Sequence, residues 1–172
     1  MSAINTLIGN PLFIILQQVF AGRKVTRDYQ HIDQYNDADQ KAGIVTMILS
    51  APRAAISDNL HPVRVMLTFQ GVVSEASGGS AIEELELSFI DQVQQFVASV
   101  SGIGIELVEW KNSRQLEHPW AWCGAVLELA PVDLSADSVN ANLSPFITFN
   151  ADYNLPPTGD DNDATDTVTL EQ

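Results

Sequence analysis

The chain has 172 residues, of which 45% are hydrophobic and 17% are charged, values that fit one folded domain with its own core. Its formal net charge of −14 is opposite in sign to that of a free nucleic-acid-binding protein. No apolar run approaches the length needed to cross a membrane, and the single cysteine excludes an intrachain disulfide. We therefore expect a cytosolic protein, or one assembled from the cytosol.

The charge is unevenly placed along the chain. All eight basic residues lie at or before Arg114, together with twelve of the 22 acidic residues, and the other ten acids follow without any base. The closing segment Pro156–Gln172 is polar and acidic, so its composition predicts a solvated segment that cannot offset its own ordering entropy. A net negative charge would suit a protein surface along which DNA must move without adhering, because the two repel each other. A need for solubility explains the negative charge equally well.

The N-terminal segment predicts a helix over Asn10–Ala21. Asn10 is a capping residue type, Pro11 suits the first helical position and Gly22 suits the site just past the end. One apolar stripe follows the helical spacing: Leu12, Ile15, Leu16, Val19 and Phe20. Three cations follow, where the negative end of the helix dipole favours them, and they are also candidate interface residues: Arg23, Lys24 and Arg27.

Three strands are predicted before the next helix. Val25–Tyr29 is short and runs into a polar loop. Gly43–Leu49 is apolar and β-branched, which indicates a strand buried on both faces. Val63–Val73 alternates and predicts a half-buried strand. Its expected inward face carries Val63, Val65, Leu67 and Phe69, and its outward face carries Arg64, Met66, Thr68 and Gln70.

A long amphipathic helix is predicted over Ala81–Val100. Ser80 and Glu83 match the S-x-x-E capping box. Acidic residues in the first turns suit the positive end of the helix dipole, so we interpret them as a solvated face rather than a carboxylate site: Glu83, Glu84 and Glu86.

Two further strands, Gly104–Trp110 and Trp120–Leu129, close the predicted domain, and Pro131 is expected to end the second. The order of elements contains a β-α-β step and predicts an α+β fold, with a mixed or antiparallel sheet of about five strands packed by two helices. We place this domain at residues 1–134 and interpret residues 135–172 as an extended C-terminal arm. Its aromatic anchors need another surface to rest on: Phe146, Phe149 and Tyr153.

The sequence contains no nucleophile elbow, phosphate-binding loop, dinucleotide-binding loop or HExxH zinc motif. His118 lies near Cys123, but a thiol on an apolar strand lacks the electropositive setting of a nucleophile, so we interpret it as buried and inert. Three acidic-tail residues lack the glycine and bidentate glutamate of an EF-hand loop: Asp161, Asp163 and Asp166. We expect no enzyme activity, no metal and no cofactor.

The three tryptophans are the remaining candidate site. Trp120 and Trp122 lie on the same face of the last predicted strand, and Trp110 lies in the strand before it. Core packing is the first expectation for such large side chains. Paired tryptophans also form ligand platforms and interface anchors.

The layout of these elements resembles that of the tail terminator, or tail completion, proteins of tailed bacteriophages. It comprises the N-terminal helix, a V-x-x-x-Y strand at Val25–Tyr29, the strands GIVTMIL and VRVMLTF, the helix at Ala81–Val100, and the pair GIELVEW and WAWCGAVLEL. The resemblance covers about Ile4–Leu134. Several neck and tail-end proteins of phages and of contractile injection systems share this layout.

The resemblance implies a virion protein, assembled in the host cytoplasm, that forms a ring of usually six copies on the last ring of the tail tube. Its partners would be other copies of the chain, the tail tube protein, and a neck, head-completion or sheath protein. Genomic DNA would pass through the lumen without specific binding, and no membrane would be involved. The interface candidates, chosen by residue type, are Phe146, Phe149, Tyr153, Trp120, Trp122, Arg23, Lys24 and Arg27.

Two alternatives stay open. One is another neck, connector or baseplate component of a phage tail. The other, from a different class, is a small-ligand-binding α+β domain that uses the three tryptophans.

Overall fold

The computed structural model of the chain describes residues 4–50 and 60–133, so the predicted arm, with Phe146, Phe149 and Tyr153, lies outside the described residues. The described residues form an α+β fold with one five-stranded sheet. The helices are α1 (Asn10–Val19), α2 (Asp37–Ala42) and α3 (Gly79–Ser99). The strands are β1 (Lys24–Thr26), β2 (Ile44–Ser50), β3 (Leu60–Val72), β4 (Ile105–Asn112) and β5 (Trp120–Asp133).

The sheet is mixed, with the strand order β1-β2-β3-β5-β4. β1 pairs parallel to β2, and every other neighbouring pair is antiparallel. Helix α3 connects β3 to β4. Because β5 lies between these two strands, the predicted β-α-β step joins strands that run in the same direction without pairing with each other.

One face of the sheet packs against α1 and α3 and forms the core. The alternation predicted for β3 is confirmed, since its residues Val63, Val65, Leu67 and Phe69 are buried. They meet the apolar stripe of α3, and the phenyl rings of Phe69 and Phe89 stack with centroids 5.3 Å apart. The alternating residues of β5 complete this layer: Ala121, Cys123, Ala125, Leu127 and Leu129.

Among the described residues, the other face of the sheet is covered only over β2 and part of β3. A 3-10 turn at Ile32–Gln34 and helix α2 lie there, and Ile32, Ile44 and Thr46 are buried. The prediction of a plain polar loop after β1 is therefore wrong. The Asn36 side chain caps α2 by accepting a hydrogen bond from the Asp39 N–H at 2.9 Å, a signal that was present in the sequence.

The N-terminal caps predicted for α1 and α3 both need correction, although α1 begins at Asn10 as predicted. Asn10 is not a cap, because a π-helical turn at Asn5–Gly9 runs directly into α1. The Ser80–Glu83 capping box does not form either, since α3 begins at Gly79 without a side-chain cap. The Glu83 carboxylate instead accepts a hydrogen bond at 2.7 Å from the Gln115 side-chain amide, so a tertiary contact replaces the local one.

Strand β5 continues past Pro131 to Asp133, although Pro131 was expected to end it. The ladder with β3 jumps from the pair Val63–Leu129 to the pair His61–Val132. Pro131 falls in this irregularity, where the ladder requires no N–H from it, so the strand tolerates the proline. Within the described residues, no helix is long and apolar enough to cross a membrane.

Candidate functional site

The three tryptophans lie at the surface, so the expectation of core packing is wrong. The side chains of Trp110, Trp120 and Trp122 are 42%, 39% and 37% exposed. Trp122 pairs with Gln70 across β3 and β5, and both lie on the face of the sheet opposite α1 and α3. The prediction that Trp120 and Trp122 share one face of the strand is confirmed. The sequence did not reveal that this part of the face has no covering element among the described residues.

The uncovered region, the open sheet face, carries Arg64, Met66, Trp120, Trp122, Val126 and Glu128. Arg64 and Glu128 form an ion pair at 2.7 Å, so Arg64 is partly neutralised within the domain. Met66 is 37% exposed, comparable to the tryptophans. Large apolar side chains that share one solvent-facing patch are typical of interaction surfaces.

A groove of about 430 Å³ lies beside this face. We call it the aromatic groove and define it by Tyr29, Gln70, Glu117, Trp120 and Trp122. The side-chain amide of Gln70 donates to the Gln30 carbonyl at 3.1 Å, which ties the segment after β1 to the sheet next to Tyr29. Tyr29 is 59% exposed, so its ring is available to a ligand.

The hairpin loop between β4 and β5 supplies Glu117 to this groove. The Trp120 N–H donates to the Glu117 carbonyl at 2.7 Å, which keeps the loop against the start of β5. Arg114 and Gln115 adopt positive φ angles of 55° and 64°, a conformation that non-glycine residues adopt only when their surroundings hold them there. The loop is therefore fixed by contacts rather than by its own preferences.

The side chain that holds the hairpin loop is that of Glu86, which lies in α3 and is fully buried. Its Oε1 accepts hydrogen bonds from the Ser113 N–H at 3.2 Å, the Ser113 hydroxyl at 2.5 Å and the Trp122 N–H at 3.3 Å. The prediction of a solvated acidic face is therefore wrong for Glu86, although Glu83 and Glu84 are exposed. The Glu86 carboxyl clamps the hairpin to α3 and fixes the backbone of Trp122.

A second groove of about 430 Å³ lies on the other side of Trp122. We call it the basic groove, and its lining includes Trp110, Lys111, Arg114 and Trp122. The Lys111 ammonium pairs with Glu109 at 2.7 Å, and this contact lowers the pKa of the Glu109 carboxyl. Part of the positive charge of the groove is thus already balanced within β4.

The three basic residues after α1 that were predicted as interface candidates make different contacts within the domain. The Arg23 guanidinium donates to the Gln92 side chain at 2.7 Å and to the Ser88 hydroxyl at 3.1 Å, and it lies 4.8 Å from the centroid of the Phe69 ring. Burial lowers the pKa of Arg23. It is thus a packing element that links β1 to α3, and any interface contribution from it stays a prediction.

Arg27 also bonds within the domain, since its guanidinium donates to the side-chain carbonyl oxygens of Asn5 at 2.6 Å and Asn10 at 3.2 Å. This contact ties the end of β1 to the first helical turns. Lys24 is exposed and remains accessible to a partner. None of the three cations lines the aromatic groove or the basic groove.

Cys123 is buried, as expected. Burial, reinforced by Glu86, raises the pKa of its thiol to about 12, which is unfavourable for a nucleophile. His118 is exposed, and its ring nitrogen lies 2.7 Å from the Ser77 carbonyl oxygen. Among the described residues, no group of three or more acidic, histidine or cysteine side chains is arranged to hold a metal ion.

Comparison with models of known protein families gives no match, and comparison with characterised proteins finds no significant relative. Function must therefore be inferred from the chemistry and geometry of the site.

Proposed function

We propose that this protein is a structural ring protein of a phage tail, a tail terminator that caps the tail tube and joins it to the neck. The observation that carries the proposal is the open sheet face, which bears large, partly exposed side chains at Met66, Trp120 and Trp122. The arrangement of the strands and of α3 agrees with the layout that the resemblance implies. Clustered aromatic and methionine side chains are enriched at the centres of protein interfaces.

A ring requires a heterologous contact, in which one surface of a copy binds a different surface of the next copy. The open sheet face is one such surface. We propose that residues 135–172 contribute to the other, with Phe146, Phe149 and Tyr153 as anchors on a neighbouring copy. Removing residues 135–172 should therefore weaken assembly without unfolding the domain. Normal assembly of the truncated chain would contradict the role proposed for the arm.

The ring is tested by measuring the mass of the full chain in solution by light scattering across a concentration series. Six copies of the 18.7 kDa chain have a mass of about 112 kDa, and we expect growth toward that value as concentration rises. A chain that stays monomeric both alone and when mixed with preformed tail tubes would overturn the proposal.

The role of the open sheet face is tested with Met66→Lys, because Met66 is an exposed residue of this face that pairs with Val126 across β3 and β5. We expect a large loss of the assembled species. Ile14→Lys is the matched control, since Ile14 is 53% exposed on α1, on the opposite side of the sheet. Equal losses for the two variants would mean that general solubility, rather than this face, controls assembly.

The aromatic groove favours a second candidate, a small-ligand-binding α+β domain. Its volume of about 430 Å³ lies in the usual range for ligand sites, and it combines aromatic faces with a few polar groups. A strictly monomeric chain that binds a small molecule at this groove, with no affinity for tail tubes, would favour this candidate over the ring.

A further inference from the structure

The aromatic groove has a distinctive chemical lining. Three aromatic side chains face it, those of Tyr29, Trp120 and Trp122, and each is more than a third exposed. Glu117 contributes a carboxylate and Gln70 a neutral amide. None of the described residues that line the groove is a lysine or an arginine. The lining also includes His31, whose Nδ1 lies 3.1 Å from the Asp33 carboxylate. The groove therefore offers electron-rich ring faces together with a carboxylate.

This lining favours positively charged ligands over neutral or anionic ones. The faces of tryptophan and tyrosine rings carry the negative part of the aromatic quadrupole and attract cations placed over them. The net charge of −14 adds a long-range attraction for cations and repels anions.

The lining also discriminates among cations. A strongly hydrated ion such as Na⁺ loses more hydration energy against aromatic surface than it regains. Guanidinium and quaternary ammonium groups are weakly hydrated and suit stacking on aromatic faces. The groove volume of about 430 Å³ accommodates such a group together with the chain that carries it.

We propose that the aromatic groove is a binding site for a weakly hydrated organic cation, a quaternary ammonium or a guanidinium group. Trp120, Trp122 and Tyr29 supply the ring faces, and Glu117 supplies the counter-charge. Gln70 positions the site, because its bond to the Gln30 carbonyl holds the segment of Tyr29 against the sheet. All of these residues belong to one chain, but Trp120 and Trp122 are also part of the open sheet face, so the site is tested at concentrations at which the chain is monomeric.

The test is a titration of tryptophan fluorescence in the full chain at constant ionic strength. Choline is the quaternary ammonium probe, and the amide of N-acetylarginine is the guanidinium probe. Dimethylbutanol, the neutral isostere of choline, is the matched ligand control. We expect saturable changes with at least one cation and none with the alcohol. Tighter binding of choline indicates a small-molecule ligand, and tighter binding of the arginine amide indicates an arginine side chain of a partner.

Three variants locate the binding. Glu117→Gln keeps the shape of the side chain and should weaken cation binding about threefold, and Trp120→Leu should weaken it about tenfold. Glu84→Gln removes an exposed carboxylate from α3, outside the groove, and should leave binding unchanged. If Trp120→Leu fails to fold, Glu117→Gln decides alone, because the Glu117 contact with Trp120 uses only the main chain.

Equal binding of the alcohol and choline would overturn the proposal, and so would equal weakening by Glu117→Gln and Glu84→Gln. The absence of saturation with both cations would overturn it as well. These results leave the mass measurement untouched, so failure of the cation site and failure of the ring are distinguishable.

Discussion

Replacing Glu86 with alanine should strongly destabilise the domain, although sequence reasoning assigns this residue to solvent. The change removes the acceptor of three hydrogen bonds that join α3 to the hairpin. The Ser113 N–H keeps a second acceptor, the Trp122 carbonyl at 3.1 Å, and the Ser113 hydroxyl can rotate. The Trp122 N–H also loses Glu86 Oε1, which lies 3.3 Å away, as an acceptor.

The expected cost follows from these contacts. The three hydrogen bonds to the Glu86 carboxyl group contribute about 1.5 kcal/mol each, and the space left by the side chain adds about 1 kcal/mol. Against this, Glu86 Oε2 is buried without a hydrogen-bond partner, so its removal recovers about 1–3 kcal/mol of desolvation. We therefore expect a net loss of about 3 kcal/mol for Glu86→Ala. Glu86→Gln keeps Oε1 and should lose about 1 kcal/mol or less.

The assay is urea unfolding of the full chain, followed by tryptophan fluorescence. A loss of about 3 kcal/mol lowers the unfolding midpoint by about 1–2 M for a protein of this size. Glu84→Ala is the control, because this exposed neighbour should change stability by less than about 0.5 kcal/mol. The reasoning fails if Glu86→Ala costs less than about 1 kcal/mol, or if glutamine and alanine cost the same.

Three further predictions concern packing and ionisation. Gly43→Ala should lower the free energy of unfolding by about 2–4 kcal/mol, because Gly43 has a φ of +91° and an added Cβ would meet a neighbouring phenyl ring. Gly22 has a similar φ but open space around it, so Gly22→Ala should lower the free energy of unfolding by only about 1–2 kcal/mol in the same urea assay. Burial raises the pKa of Cys123 to about 12, so the thiol stays neutral at pH 8, and thiol reagents should label the folded chain at least about 1000-fold more slowly than the unfolded chain. Rapid labelling of the folded chain would contradict its burial. Arg23→Met should cost about 1–3 kcal/mol through lost hydrogen bonds and the ring contact, whereas its exposed neighbour Lys24→Met should be neutral. Equal unfolding midpoints for these last two variants would show that the guanidinium is dispensable.

Much of the fold could be predicted because it is encoded by short-range periodicity. The alternation along Val63–Val73 has a period of two, so it identifies the buried face of β3 without knowledge of its neighbours. The helical spacing over Ala81–Val100 does the same for α3, with ends that differ by one or two residues. The burial of Cys123 followed from the apolar run around it.

The errors have a common physical cause, which is that local signals were overridden by contacts between distant residues. The capping signal at Ser80 yielded to the bond between Glu83 and Gln115, 32 residues apart. The proline signal at Pro131 yielded to an irregularity in the ladder with β3. Both signals are weak preferences, and tertiary packing supplies more free energy than either.

By itself, the sequence determined the order of the five strands and the two long helices, the α+β class and the buried face of β3, because these depend on residues close together in the chain. Only the tertiary structure decided that Trp120 and Trp122 face solvent, since this depends on where α2 stops covering the sheet. The burial of Glu86 was likewise decided only by the tertiary structure, because its hydrogen-bond donors lie 27 and 36 residues from it along the chain. A carboxyl group can be buried where the folded chain brings hydrogen-bond donors to it. These donors come from other segments of the chain, so the sequence of the helix contains no signal for them.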